Sequence, residues 1–156
     1  MTLPFSEAFF DATDKVVAIF DELGADWMFI GAVPVATWGH PRATTDADFA
    51  ISLDFLSSRD LDSAMEAARF KKLSGPVEIP GKRLVLSKYA VGYDSGTLGI
   101  DVFFVTGYDV GRFLREALGR KVAVTFFGST YWATSAEDLV LFKILAFRSK
   151  DLVDLA

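Results

Sequence analysis

Thr44-Thr45-Asp46-Ala47-Asp48-Phe49-Ala50-Ile51 alternates polar and apolar residues, and the alternation predicts a strand over 45–52. On a strand, positions i and i+2 point to one face, so Asp46 and Asp48 aim at the same place, about 7 Å apart along the backbone. Two carboxylates that close repel unless a cation stands between them. A hard divalent ion such as Mg²⁺ prefers carboxylate oxygens and bridges readily to phosphates. The simplest chemical reading is half of a metal site for phosphoryl or nucleotidyl chemistry.

A third acid extends this reading. Asp101 is the only charge in Gly99-Ile100-Asp101-Val102-Phe103-Phe104-Val105, an otherwise apolar strand. A buried, unpaired carboxylate costs several kcal/mol, so Asp101 needs water, a basic partner or a metal. If its strand neighbours that of Asp46, three carboxylates converge; otherwise Asp101 is an edge residue facing water.

Outward from these strands the chain alternates helices and strands. Phe9, Val16, Phe20 and Leu23 recur at helical spacing over 5–23, with Gly24 as a stop. Trp27–Ile30 reads as a short buried strand and 33–38 as a short helix with Pro34 in its first turn. Ser57 caps a helix reaching about Phe70. Gly75, Pro76, Pro80 and Gly81 mark turns. Arg83–Val91 and Leu98–Val105 form a hairpin about Tyr93–Gly96. A helix is expected over 108–119, then short strands Val122–Phe127 and Thr130–Trp132. Thr134-Ser135-Ala136-Glu137 is a capping-box pattern opening a last helix that runs to Ala156 without a stop signal. The expectation is an α/β (α+β) fold: one small mixed sheet with flanking helices, in a single domain over 1–156.

Composition narrows the function. The chain is 51% apolar with 15 Phe, enough for a substantial core. No run approaches the ~20 apolar residues of a membrane helix, and no signal peptide is evident, so neither a membrane nor secretion is expected. The absence of cysteine excludes disulfides and thiolate metal sites and leans toward the cytoplasm. A net charge of −5 argues against general nucleic-acid binding. The missing stop signal fits either a truncation of a longer chain or a frayed last turn, and apolar surface on a short acidic domain would suit a homodimer.

Several residues around the acids suit a nucleotide. Gly31 ends an apolar strand and Ala32 follows it, a turn that brings backbone N–H groups toward a phosphate. Arg42 offers a bidentate grip, and Thr44 and Thr45 offer hydroxyls; alone, they read equally as a turn. On the last helix Lys143, Lys150, Asp151 and Asp154 share a face, while Leu139, Phe142, Leu145 and Ala146 occupy another. A charged stripe is ordinarily the solvated face; the functional alternative is a basic ridge against a triphosphate. His40, the single histidine, sits in a loop and is assigned no base role.

Together these residues resemble the minimal nucleotidyltransferase fold, and within it the abortive-infection toxins of the AbiEii type and related nucleotidyltransferase-like domains. Gly39-His40-Pro41-Arg42-Ala43-Thr44-Thr45-Asp46-Ala47-Asp48 matches the pattern Gly-x-x-Arg-x-Thr-x-Asp-x-Asp of that branch. Lys143, Arg148 and Lys150-Asp151-x-x-Asp154 match its late helix. The resemblance implies transfer of a nucleoside monophosphate from a nucleoside triphosphate such as ATP, with two Mg²⁺ ions held by Asp46, Asp48 and Asp101. Asp101 would also help activate the acceptor. Gly31 and Ala32 would lie under the triphosphate, with Arg42, Thr44, Thr45, Lys143, Arg148 and Lys150 around it; Lys143 and Lys150 would contact phosphates or face the acceptor. The acceptor would be RNA, a protein or a small molecule, and an antitoxin partner would accompany a toxin role. Two departures stand out. The usual Gly-Gly or Gly-Ser is here Gly31-Ala32, and the added helical part of AbiEii-type toxins is absent. Both motivate the alternative of an inactive module that binds nucleotide or a partner. An Asp-x-Asp glycosyltransferase fits less well, given the third Asp, the lysine helix and the short length.

Overall fold

The computed structural model describes residues 6–38, 45–52, 58–79, 84–106, 109–126 and 128–146. Helix α1 (Glu7–Glu22) starts where the Ser6 side chain accepts the Phe9 N–H at 3.1 Å. It stops at Leu23 and Gly24, the latter at φ +69°, a left-handed position suited to glycine. Strand β1 (Asp26–Ile30) leads through Gly31 into helix α2 (Ala32–Trp38). Strand β2 (Asp46–Ser52) and helix α3 (Ser58–Ala67) follow. Then come β3 (Lys71–Ile79), β4 (Leu84–Tyr93) and β5 (Gly96–Phe104). Helix α4 (Asp109–Leu118), the pair β6 (Val122–Phe126) and β7 (Ser129–Ala133), and helix α5 (Ala136–Ala146) complete the described chain.

The strands form one mixed sheet in the order β3-β4-β5-β2-β1-β7-β6. Alternation along β2 separates its two faces. Ala47, Phe49 and Ile51 join Phe9, Val16, Phe20, Leu61 and Met65 in a core under α1 and α3. Ala50 points the other way, into a core with Met28, Ile30, Val110, Leu114 and Phe142 under α4 and α5. Burying such side chains is worth roughly 1.5–3 kcal/mol each and holds the helices on the sheet. Aromatic donors add polar ties on the first face: Tyr93 donates to Asp11 at 2.7 Å, Tyr131 to Asp14 at 2.6 Å and Tyr89 to Asp62 at 2.6 Å. Among the described residues no helix is long and apolar enough to cross a membrane.

Three expectations need correction. The stretch with Gly75 and Pro76 is not a set of turns but the edge strand β3. Proline is tolerated at an edge, and the pairing with β4 slips twice, between Lys72 and Ser74 and between Ser74 and Val77. The cap of α5 is Ser135, whose side chain accepts the Asp138 N–H at 3.2 Å, rather than Thr134. The Thr134 hydroxyl is committed to Phe29 O at 2.8 Å and ties α5 to β1. Finally, Lys143 is not on a solvated stripe: it is 2% exposed, whereas Leu145 is exposed along with Val140, Leu141 and Ile144. Ser57, Pro80, Gly81 and Arg83 lie outside the described residues, as does the chain after Ala146.

Candidate active site

The geometry follows from β2 lying between β1 and β5. β2 and β5 run parallel with Asp46 opposite Gly99 and Asp48 opposite Asp101. Residues in register on neighbouring strands share a face, so Asp48 and Asp101 stand side by side at about one strand spacing, ~4.8 Å. Asp46 shares their face. Exposure falls along β2 on this face, from Asp46 (exposed) through Asp48 (half-buried) to Ala50 (buried). The carboxylates therefore line the rim of the layer that α4 and α5 cover.

Each carboxylate leans toward a different neighbour. Asp48 leans toward β1: a Cβ built on Gly31 would collide with its Oδ2. Gly31 stands at φ +90°, so its lack of a side chain is required twice over, by the backbone and by Asp48. Asp46 leans toward β5, where a Cβ on Gly99 would collide with its Oδ1. Asp101 is drawn the other way, toward β4, where Lys88 Nζ stands 3.7 Å from its Oδ2. Lys88 pairs in register with Asp101 across the β4–β5 hairpin. The row Lys88, Asp101, Asp48 thus crosses three strands on one face.

The other expected site residues divide sharply. Thr45 is exposed just ahead of β2, and Ala32 is the first residue of α2. Lys143 is buried on α5, next to Phe142 of the core on the acids' face. Arg42, Thr44, Arg148 and Lys150 lie outside the described residues, as do His40, Asp151 and Asp154.

Lys88 and Gly99 were missed in the sequence, although the signal was present. The turn at Asp94-Ser95 sets the hairpin register, and counting five positions back from Tyr93 and five on from Gly96 reaches Lys88 and Asp101. Gly99 could not be found this way, because its partner lies on β2, which pairs with β5 only through the fold.

The donor set fits a divalent cation by its chemistry: three hard carboxylate oxygen donors share one face, and like charges set side by side on neighbouring strands are destabilising without a counter-charge. The side chains as they stand are held apart. Among the described residues no group of three His, Cys, Asp or Glu is gathered closely enough to hold a metal ion.

No protein-family model matches the chain, and no curated protein sequence does either. Solved structures do. The lincosamide antibiotic adenylyltransferase LnuA, bound to lincomycin, superposes with a TM-score of 0.56 at 12% identity, over 92% of each chain. A candidate nucleotidyltransferase (TM1012) from Thermotoga maritima gives 0.62 at 12% identity, over 95% of this chain and 90% of its own. ANT(2'')-Ia, in complex with adenylyl-2''-tobramycin, gives 0.53 at 11% identity, over 92% of this chain and 83% of its own. The chain has the fold of these nucleotidyltransferases.

Proposed function

We propose that the chain is a Mg²⁺-dependent nucleotidyltransferase. The observation that carries this reading is the in-register pairing of Asp48 with Asp101 on the face that Asp46 shares. In the proposed reaction an acceptor hydroxyl oxygen bonds to the α-phosphorus of a nucleoside triphosphate, the α–β bridging bond breaks, and pyrophosphate leaves. Bound divalent ions, two in the fullest version, would lower the charge on the phosphates and support the leaving pyrophosphate. Asp46, Asp48 and Asp101 would hold them, and Asp101 would accept the acceptor's proton. Gly31 and Ala32 would let the triphosphate approach the β1–α2 turn, with Thr45 beside it. Lys143 and Lys150 would contact phosphates or face the acceptor, and Arg42, Thr44 and Arg148 would grip the nucleotide.

The reading extends to the AbiEii type and so to a toxin acting in the cytoplasm on RNA or protein, with an antitoxin as partner and a homodimer as its assembly. The alternative small-molecule acceptor is supported by the antibiotics bound to two of the fold neighbours. The test is direct. The purified chain is mixed with Mg²⁺, labelled nucleoside triphosphates and a panel of RNA, protein, aminoglycoside and lincosamide acceptors. Labelled acceptor with pyrophosphate release supports the proposal, and the labelled acceptor names its class. No product and no nucleotide binding by calorimetry ends it.

A second reading, an inactive module that binds nucleotide or a partner, draws on the separation of the three carboxylates and on Gly31-Ala32. Nucleotide binding indifferent to Mg²⁺ and to Asp48→Asn would favour it.

A further inference from the structure

We propose that the outward face of α5 is a self-association surface, on which a second copy of the chain packs its own α5 in the antiparallel sense. The proposal gives an interface to the homodimer named above. It does not depend on nucleotidyl transfer, and its test reads association alone, so either can fail without the other.

Helix α5 is built inside out. Apart from Glu137, its charged residues are Asp138 and Lys143, and both are buried. Its outward residues Val140, Leu141, Ile144 and Leu145 are aliphatic and between 44% and 54% exposed. Residues four apart are neighbours on a helix, so these side chains form one continuous stripe. An ordinary surface helix turns its charges out and its apolar residues in. Exposed apolar residues scattered singly need no explanation, but a contiguous patch marks an interaction site. Trp38 adds to it: the indole is 47% exposed, and its Nε1 donates to Thr134 O at 3.0 Å, close to the start of α5.

The pattern of the stripe selects its occupant. Val140-Leu141, the inward pair Phe142-Lys143 and Ile144-Leu145 read alike in both directions. A two-fold dimer needs such a self-matching patch. Antiparallel packing sets Leu141 against Ile144 and Val140 against Leu145 in both halves at once, with no charge in the middle. Charge selects the direction. Each copy carries a net charge of −5, and Glu137 is the exposed acid of α5. Parallel helices would set the two Glu137 side by side. Antiparallel helices place them about 16 Å apart along the axis, beyond the screening length of about 8 Å at physiological salt. They also oppose the two helix dipoles. The patch is a few hundred Å² per copy, below the ~800 Å² per partner of a standard stable interface, so association is weak and depends on concentration.

The experiment is sedimentation velocity of the full chain from about 1 µM to about 1 mM, the range of weak complexes. Wild type should pass from monomer to dimer across this span. Ile144→Lys should weaken the dimer at least about tenfold, because it buries a charge against Leu141. Ile144→Ser should weaken it less, and stands in should the lysine variant fail to fold by circular dichroism. The chain has no cysteine, so introduced thiols report geometry without background. Under mild oxidation Leu141→Cys mixed with Ile144→Cys should form a disulfide-linked dimer. Glu137→Cys alone should not, since a disulfide needs Cα atoms within about 7 Å. The reverse pattern of crosslinks overturns antiparallel packing. Wild type that stays monomeric throughout overturns the second copy as occupant and leaves the face to residues 147–156 or to another protein. A dimer undiminished in the folded Ile144 variants puts the interface elsewhere and overturns the proposal as well.

Discussion

The Asp48 carboxylate occupies the space that a side chain on Gly31 would need. The β1–α2 turn and the middle of the three acids are thereby one steric unit. Gly31→Ala should destabilise the protein by about 1–3 kcal/mol, from the left-handed backbone and the clash together. Asp48→Ala in the same chain should recover the steric share and leave the backbone share. A double-mutant cycle by urea denaturation measures the coupling, and strictly additive effects would contradict the contact.

Asp48→Asn and Asp101→Asn keep the shape of the site and remove its charge. Each should reduce nucleotidyl transfer by at least about a hundredfold, since a bound divalent ion supplies several kcal/mol of charge stabilisation. Circular dichroism should stay that of wild type. Pyrophosphate release at wild-type rates in either variant would exclude the proposed ligands.

The tyrosine ties predict a loss of stability in base. Burial, and then donation to Asp11, pushes Tyr93 up from 10.0 to about 12; burial and donation to Asp14 do the same for Tyr131. The folded protein thus keeps protons that the unfolded chain releases. Their contribution is complete below pH 10 and is lost as pH rises through about 12. Ultraviolet titration should show tyrosines ionising near pH 12 in the folded state, alongside a melting temperature that falls between pH 10 and 12. In acid the sign reverses for Asp11. The hydrogen bond from Tyr93 and then that from Lys15 hold its carboxyl below 3.8, so its contribution is present above that value and lost below it.

Arg120 grips Asp138 with two hydrogen bonds, of 3.0 and 2.9 Å, and the Asp138 side chain is only 5% exposed. Arg120→Ala strands a buried carboxylate and should cost about 1–3 kcal/mol. Asp138→Ala should cost less, because Arg120 is half-exposed and water takes over its hydrogen bonds. Denaturant melts that rank the two the other way would contradict this account.

Local chemistry wrote much of this protein in plain view. The alternation in Asp46–Ser52, the glycine stop after α1 and the turn at Asp94-Ser95 depend on neighbours within a few residues, so periodicity and turn preference reveal them. Even the Lys88–Asp101 pair follows from the hairpin. Long-range packing decided the rest. The parallel β2–β5 register joins strands with no short connection and so leaves no local signature. Residues 71–79 became a strand because an edge forgives Gly75 and Pro76. Lys143 was buried, and Leu145 exposed, by where α5 comes to rest against its neighbours, a matter of which surfaces meet that no spacing along one helix encodes.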